Sequence, residues 1–185
     1  RLSLVGSEMC IRDRLKQEKT KILPNFTKRS RAYLEIQNGC NHSCTFCIIP
    51  QGRGLSKSVP MDTILEKIRN LVNKGFKEIV LTGVDITCWG SDIAGNDKLG
   101  DLVNNILNET PDLPRLRLSS LDVSEMDDNL LHVFKTNKRM MPHLHLSLQS
   151  GNNLILKRMK RRHSREQAID LCRNLKAARP ELLSL

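Results

Sequence analysis

The chain has 185 residues, 39% of them apolar, six cysteines and a formal net charge of +10. That length suffices for one domain with a substantial core, and no apolar run approaches the roughly 20 residues that a bilayer-spanning helix needs. The basic balance points to a polyanionic partner more than to solubility alone, because it gathers in two stretches, residues 16–31 and 157–165.

Residues 1–14 show no amphipathic period and read as a non-native leader. Residues 15–30, basic and broken by Pro24, read as a linker. From residue 31 to 185 the sequence settles into one α/β domain, incomplete at its C-terminal end. Residues 33–37 form the first predicted strand. A cap at Ser58, Pro60 in the first turn and an apolar stripe of Ile64, Leu65, Ile68, Leu71 and Val72 predict a helix that Gly75 ends. Residues 78–82, nearly all apolar, read as a buried parallel strand. After a polar loop, Leu102, Val103, Ile106 and Leu107 mark a second helix. Residues 115–118 are a third strand, followed by a helix carrying Leu130, Leu131, Val133 and Phe134. Residues 144–148 are a fourth strand, along which His143 and His145 share one face. Ser164 with Gln167 is a capping box, opening a helix that buries Ala168, Ile169, Cys172 and Leu175. Four strand–helix units in succession predict parallel repeats forming part of an α/β barrel, with chemistry at the C-terminal strand ends. The chain stops near the start of a fifth strand, which would leave the fourth as an unpaired edge.

Three cysteines leave the first strand: Cys40, Cys44 and Cys47, in the run Gly39-Cys40-Asn41-His42-Ser43-Cys44-Thr45-Phe46-Cys47. The spacing Cys-x3-Cys-x2-Cys offers three thiolates where a [4Fe–4S] cluster usually takes four, leaving one iron open to a substrate or cofactor. Structural zinc would need a fourth protein ligand, for which His42 is the nearby candidate. A disulfide framework fits less well, since the chain is neither cysteine-dense nor visibly secreted. An open iron requires a reducing compartment, so a cytoplasmic location is expected. Cys172 reads as core, Cys88 has no ligand spacing to any partner, and Cys10 lies in the leader.

The run from Cys40 to Cys47 resembles the cluster loop of the radical S-adenosylmethionine (SAM) superfamily. Its continuation, Ile48-Ile49-Pro50-Gln51-Gly52-Arg53-Gly54-Leu55-Ser56-Lys57-Ser58-Val59-Pro60, resembles the methylthiotransferase branch. Leu81-Thr82-Gly83-Val84-Asp85-Ile86-Thr87, Met141 to Gly151 and Leu156 to Ser164 most resemble the bacterial enzymes that methylthiolate threonylcarbamoyladenosine in tRNA. The resemblance spans residues 31–180 and implies a (β/α)6 partial barrel, truncated here after about four units.

The resemblance also implies the roles of individual residues. Cys40, Cys44 and Cys47 would ligate three irons, and SAM's amino and carboxylate groups would take the fourth. Reductive cleavage would then release a 5′-deoxyadenosyl radical. Phe46 would lie against the adenine, and Thr82, Gly83 and Asp85 near the amino group, although this chain lacks the Gly-Gly-Glu form of many members. Ser119 ends the third strand in a similar position. Gln149 would reach the ribose, and Arg161 would pair its fork with the SAM carboxylate. For Phe46, Gly83, Asp85 and Gln149 the plainer readings are core packing, a tight turn, a loop cap and a satisfied strand-end amide. The implied partners are tRNA and an electron donor such as a flavodoxin or ferredoxin. A second [4Fe–4S] cluster would belong to an N-terminal domain outside this chain. Two alternatives remain at this stage: a methylthiotransferase for isopentenyl-adenosine in tRNA or for a ribosomal-protein aspartate, and a zinc-stabilised nucleic-acid-binding module.

Overall fold

Alternation of apolar and polar residues sets the sheet. In β1 (Arg31–Asn38) it buries Ala32, Leu34 and Ile36 on one side, as a period of two requires. The structure, a computed structural model, describes residues 31–184, so the leader and linker read from sequence lie outside the described residues. β1 pairs with the short antiparallel β2 (Lys57–Ser58) and the parallel β3 (Glu78–Gly83). The latter pairs in parallel with β4 (Arg115–Leu118), for an order β2-β1-β3-β4. One residue later the chain resumes as β5 (Ser120–Leu121), parallel to β6 (His143–Leu146), which is parallel to β7 (Leu183–Ser184). The Ser119 N–H donates to the Leu81 carbonyl at 3.0 Å, and a bridge joins Leu116 to Met140. The two strand sets are therefore one curled sheet, parallel apart from β2, with β4 and β5 as halves of a single strand.

Among the described residues six α-helices accompany the strands: α1 (Ile49–Arg53), α2 (Met61–Asn73), α3 (Leu99–Glu109), α4 (Asp128–Thr136), α5 (Asn153–Arg158) and α6 (Arg165–Ala178). Their apolar stripes pack on Ala32, Leu34, Ile36, Ile79, Leu81, Leu116, Leu118 and Leu144 to make one core. Two arginines close helix ends inside it. Arg139 donates to the carbonyls of Thr110 and Leu107 at the end of α3, and Arg179 to Phe134 in the last turn of α4 and Met140 beyond it. Carbonyls left over at helix C-termini are thus satisfied by cations, which the helix dipole also favours.

The α/β class, the four strands and the four predicted helices match the sequence reading. Four details differ. Ser58 sits in β2, where its hydroxyl accepts from the Gly90 N–H at 3.0 Å, and Pro60 rather than Ser58 caps α2. The fourth strand ends at Leu146, since Leu148 and Ser150 turn back to donate to the carbonyls of Leu146 and Leu148 at 2.8 and 2.7 Å. β7 pairs with β6 at His143 and Leu144, so the expected bare edge is covered there. The short α1 and α5 carry too few residues to show a stripe.

The sheet's other face, turned from the helices, is polar apart from the buried Val80. It carries Tyr33 and Glu35, Glu78 and Thr82, Arg115 and Arg117, and His143 and His145 from successive strands. At its N-terminal end the buried Glu78 receives Arg31 and Arg117 at 2.8 Å and Arg115 at 3.3 Å. Burial alone would raise the Glu78 pKa, but Arg117 and Arg31 outweigh it and hold it below its ordinary value. A depressed carboxylate stabilises the fold fully above its unfolded pKa, and that contribution is lost as pH falls through the folded one. Glu78→Gln should cost about 1–3 kcal/mol at pH 7 and flatten the acid limb of a urea-denaturation pH series. In α6 the capping box forms as read, with Gln167 N–H to Ser164 Oγ at 3.2 Å and the reciprocal bond at 2.8 Å. Ser164→Ala should cost about 1 kcal/mol in the same assay.

Candidate functional site

The site begins with a side chain that sequence reasoning passed over. The Gln37 amide, fully buried near the end of β1, accepts from the N–H groups of Val84 and Asp85 at 3.1 and 2.8 Å. Its Nε2 donates to the Gly39 carbonyl at 2.8 Å and to Ser56 Oγ at 2.9 Å. One amide thereby joins the loop after β3 to the cysteine loop after β1. Gly39 has φ +74°, and a Cβ there would stand 2.0 Å from the Leu55 carbonyl oxygen, so only glycine lets the chain turn into Cys40.

Cys40, Cys44 and Cys47 lie half-buried along this loop. It is pinned across the site by Thr45, whose N–H and hydroxyl donate to the carbonyls of Met159 and Arg158 at 3.3 and 3.1 Å. The Cys40 thiol lies 3.6 Å from Asp85 Oδ2. Burial, reinforced by the Asp85 charge, pushes that thiol up to about 11. Metal uptake here therefore displaces a proton.

Arg161 reaches the loop from beyond α5. Its Nη2 donates to Asp122 Oδ2 at 2.6 Å and to the Ser147 carbonyl at 2.9 Å, and Nη1 lies 3.7 Å from the Cys44 sulfur. Its buried Nε has no partner among the described residues. Burial would raise Asp122, but the hydrogen bonds from Ser124 and the charges of Arg161 and Arg162 hold it below the usual carboxylate range. An open pocket of about 170 Å³ lies here, walled by Asn41, His42, Cys44, Lys160, Arg161 and Arg162.

A second group of donors adjoins the loop. His42 Nε2 lies 2.8 Å from Asp85 Oδ2 and 3.3 Å from Glu125 Oε1, and the Cys88 thiol donates to Glu125 at 2.8 Å. Burial, then the hydrogen bond to Glu125, drives the Cys88 thiol far upward, so it stays protonated. Arg162 pairs with Glu125 and lies 2.8 Å from His42 Nε2, so a guanidinium already supplies positive charge to this group. Among the described residues these four are the metal-type donors that gather within 4.8 Å; Cys40, Cys44 and Cys47 do not close to that distance. A single zinc held by three cysteines and His42 fits poorly, because the His42 ring is committed to Asp85. Three thiols without a fourth protein ligand fit a wider multi-iron cluster with one open position.

The other residues singled out from sequence fall around this centre. Phe46 is 52% exposed beside Cys47, so it is not core. Thr82 and Gly83 end β3, and a Cβ on Gly83 would meet the Gln37 carbonyl oxygen at 2.6 Å, which makes close approach rather than a turn its constraint. Asp85 is buried, and its carboxylate faces His42 and Cys40 instead of capping the turn Ile86–Cys88. Ser119 Oγ is buried without a partner among the described residues. Gln149 lies beyond β6, exposed and with φ +64°, so the satisfied strand-end amide read from sequence is not found. Asp122 and Glu125 were missed and Cys88 was set aside for want of ligand spacing, since only the fold brings them to residues some 40 positions away.

The model of the Radical SAM superfamily matches residues 34–184, and the chain belongs to that superfamily. Among curated proteins it is similar to threonylcarbamoyladenosine tRNA methylthiotransferase MtaB of Rickettsia prowazekii, 48% identical over 91% of this chain and 40% of the relative. It is 39% identical to MtaB of Bacillus subtilis over 86% of this chain and 35% of the relative. A tRNA-2-methylthio-N(6)-dimethylallyladenosine synthase of Shouchella clausii is 38% identical over 82% and 29%. The chain thus spans 40% or less of these relatives. In fold it matches the radical SAM methyltransferase TsrM of Kitasatospora setae, solved with tryptophan and a SAM analogue. The TM-score is 0.67 at 17% identity, covering 90% of this chain and 31% of that one. Membership implies SAM and a [4Fe–4S] cluster, which the three loop thiols fit. No helix of the described residues is long and apolar enough to cross a membrane.

Asp122→Ala should leave the Arg161 guanidinium buried and unpaired. The expected loss is about 3 kcal/mol in urea denaturation, against about 1 kcal/mol for Ser124→Ala, which removes one hydroxyl from the same carboxylate.

Proposed function

We propose that this chain is the radical-generating core of a tRNA N6-threonylcarbamoyladenosine C2-methylthiotransferase, acting on the adenosine next to the anticodon. The carrying observation is the loop of Cys40, Cys44 and Cys47 at the end of β1, faced by Arg161 with its buried, unpartnered Nε. Similarity to enzymes named MtaB supports the choice of substrate. A cluster bound by these thiols would supply the electron that cleaves SAM reductively.

The chain's own residues bind and orient. Arg161, locked by Asp122 and Ser147, presents its remaining donor to the SAM carboxylate. Asp85 and Thr82, with the backbone at Gly83, receive the amino group, and Phe46 is presented to the adenine. Ser119, whose hydroxyl lacks a partner among the described residues, and Gln149 in its exposed loop contact the nucleoside part. Lys157, Arg158, Lys160 and Arg162 offer phosphate contacts to tRNA, with the salt dependence such contacts carry. A flavodoxin or ferredoxin delivers the electron in the cytoplasm. A second [4Fe–4S] cluster in another part of the enzyme serves sulfur insertion.

Anaerobic reconstitution with iron and sulfide, followed by EPR of the reduced protein, tests this reading. A [4Fe–4S] signal that shifts on adding SAM is expected, and Cys40→Ala should abolish it. Folded protein that stays colourless and binds one zinc would overturn it in favour of a zinc-stabilised nucleic-acid-binding module.

A further inference from the structure

The polar face of the sheet, with Arg31, Arg115 and Arg117 against Glu78 and Glu35, carries a charge imbalance that the cysteine loop does not use. One carboxylate, Glu78, serves three guanidinium groups, and Arg115 and Arg117 both meet it through Nε. Arg31 and Arg115 stand level with Glu78 at the N-terminal ends of the strands. The Arg117 backbone lies one step nearer the site, level with Tyr33 and Val80, while its Nε reaches back to Glu78. Ser119 follows two residues on, roughly 7 Å along the strand. The Arg117 side chain is 20% exposed, against 43% for Arg31 and 41% for Arg115. It is reachable from the open face, yet shielded enough that a new ion pair there is poorly screened by water. His143 shares this face and feels the Arg117 charge, and its Nδ1 is buried without a partner among the described residues. A cation and a polar acceptor or donor, both under-used, thus lie below the strand ends where chemistry takes place.

We propose that Arg117 is a specificity-determining residue: its guanidinium takes the carboxylate of the threonylcarbamoyl arm on the target adenosine. This rests on the substrate reading above. A forked donor fits a carboxylate through two parallel bonds, and its Nε stays on Glu78, which fixes the fork. An apolar dimethylallyl arm in the same place would cover a guanidinium without pairing it. That is a penalty, and a means of rejecting the wrong nucleoside. His143 lies beside the path of the arm and supplies a further hydrogen-bonding position.

The test uses anaerobically reconstituted protein with SAM present, titrated calorimetrically with three nucleosides. These are N6-threonylcarbamoyladenosine, its methyl ester, and N6-dimethylallyladenosine. The free acid is expected to bind at least about tenfold more tightly than either neutral compound, as loss of one charged hydrogen-bonding partner implies. Arg117→Leu should erase that advantage, and Arg117→Lys, which keeps charge without the fork, should restore part of it. A preference for the acid that survives in folded Arg117→Leu overturns the inference and leaves the substrate reading standing. Wild-type protein that prefers the dimethylallyl compound, or binds none of the three, overturns both. Should Arg117→Leu not fold, the ester decides on wild-type protein: equal affinity for acid and ester overturns the inference.

Discussion

The Gln37 side chain is the constraint on which the site depends. A buried amide must satisfy two donors and an acceptor oxygen, and here its partners lie on two separate loops and on Ser56. The first loop carries the cysteines and the second carries Asp85. Their separation is therefore set by a side chain of fixed length within the core, where an unmade hydrogen bond is expensive. Gly39 and Gly83 belong to the same arrangement, since each leaves room for a backbone that a Cβ would strike. Flexible loops end up in one rigid relation because their anchors share one buried group.

Around that anchor, charge is arranged in layers. Nearest the thiols, Arg161 is held by a carboxylate whose pKa burial alone would raise, and it keeps one donor in reserve. One step outward, Arg162 pairs with Glu125 and the His42 ring meets Asp85. Further out, Lys157 and Arg158 of α5 and Lys160 just after it face solvent. At the opposite end of the strands, Glu78 gathers three arginines. Cations thus serve three purposes: carbonyl caps inside the core, orienting groups at the site, and a basic exterior suited to a polyanion.

Much of the fold was legible because strand and helix periods were clean. Ile79 and Leu81, or Leu102, Val103, Ile106 and Leu107, admit one reading each. The capping box at Ser164 was legible for the same reason: it is local. The unread pieces are short or non-local. α1 and α5 are too brief for a stripe, and β5 looks like a continuation of β4 past Ser119. At the site, the cysteines announced themselves by spacing. Asp122, Glu125 and Cys88 have no such spacing, because their partners come from other strands. Gln149 was placed on a strand that had already ended. Its neighbours leave the ladder through turns that no residue pattern betrays.

The ladder between β1 and β3 slips by one residue between Glu35 and Gln37, so Gln37 stands opposite Gly83. Such a bulge is a counting device. Side chains alternate across a sheet, so removing one residue here would straighten the ladder yet turn Gln37 to the other side. The amide would leave the core and the first cysteine would set out in the wrong direction. The site therefore depends less on the identity of many β1 residues than on their number. The length of that strand is part of the chemistry.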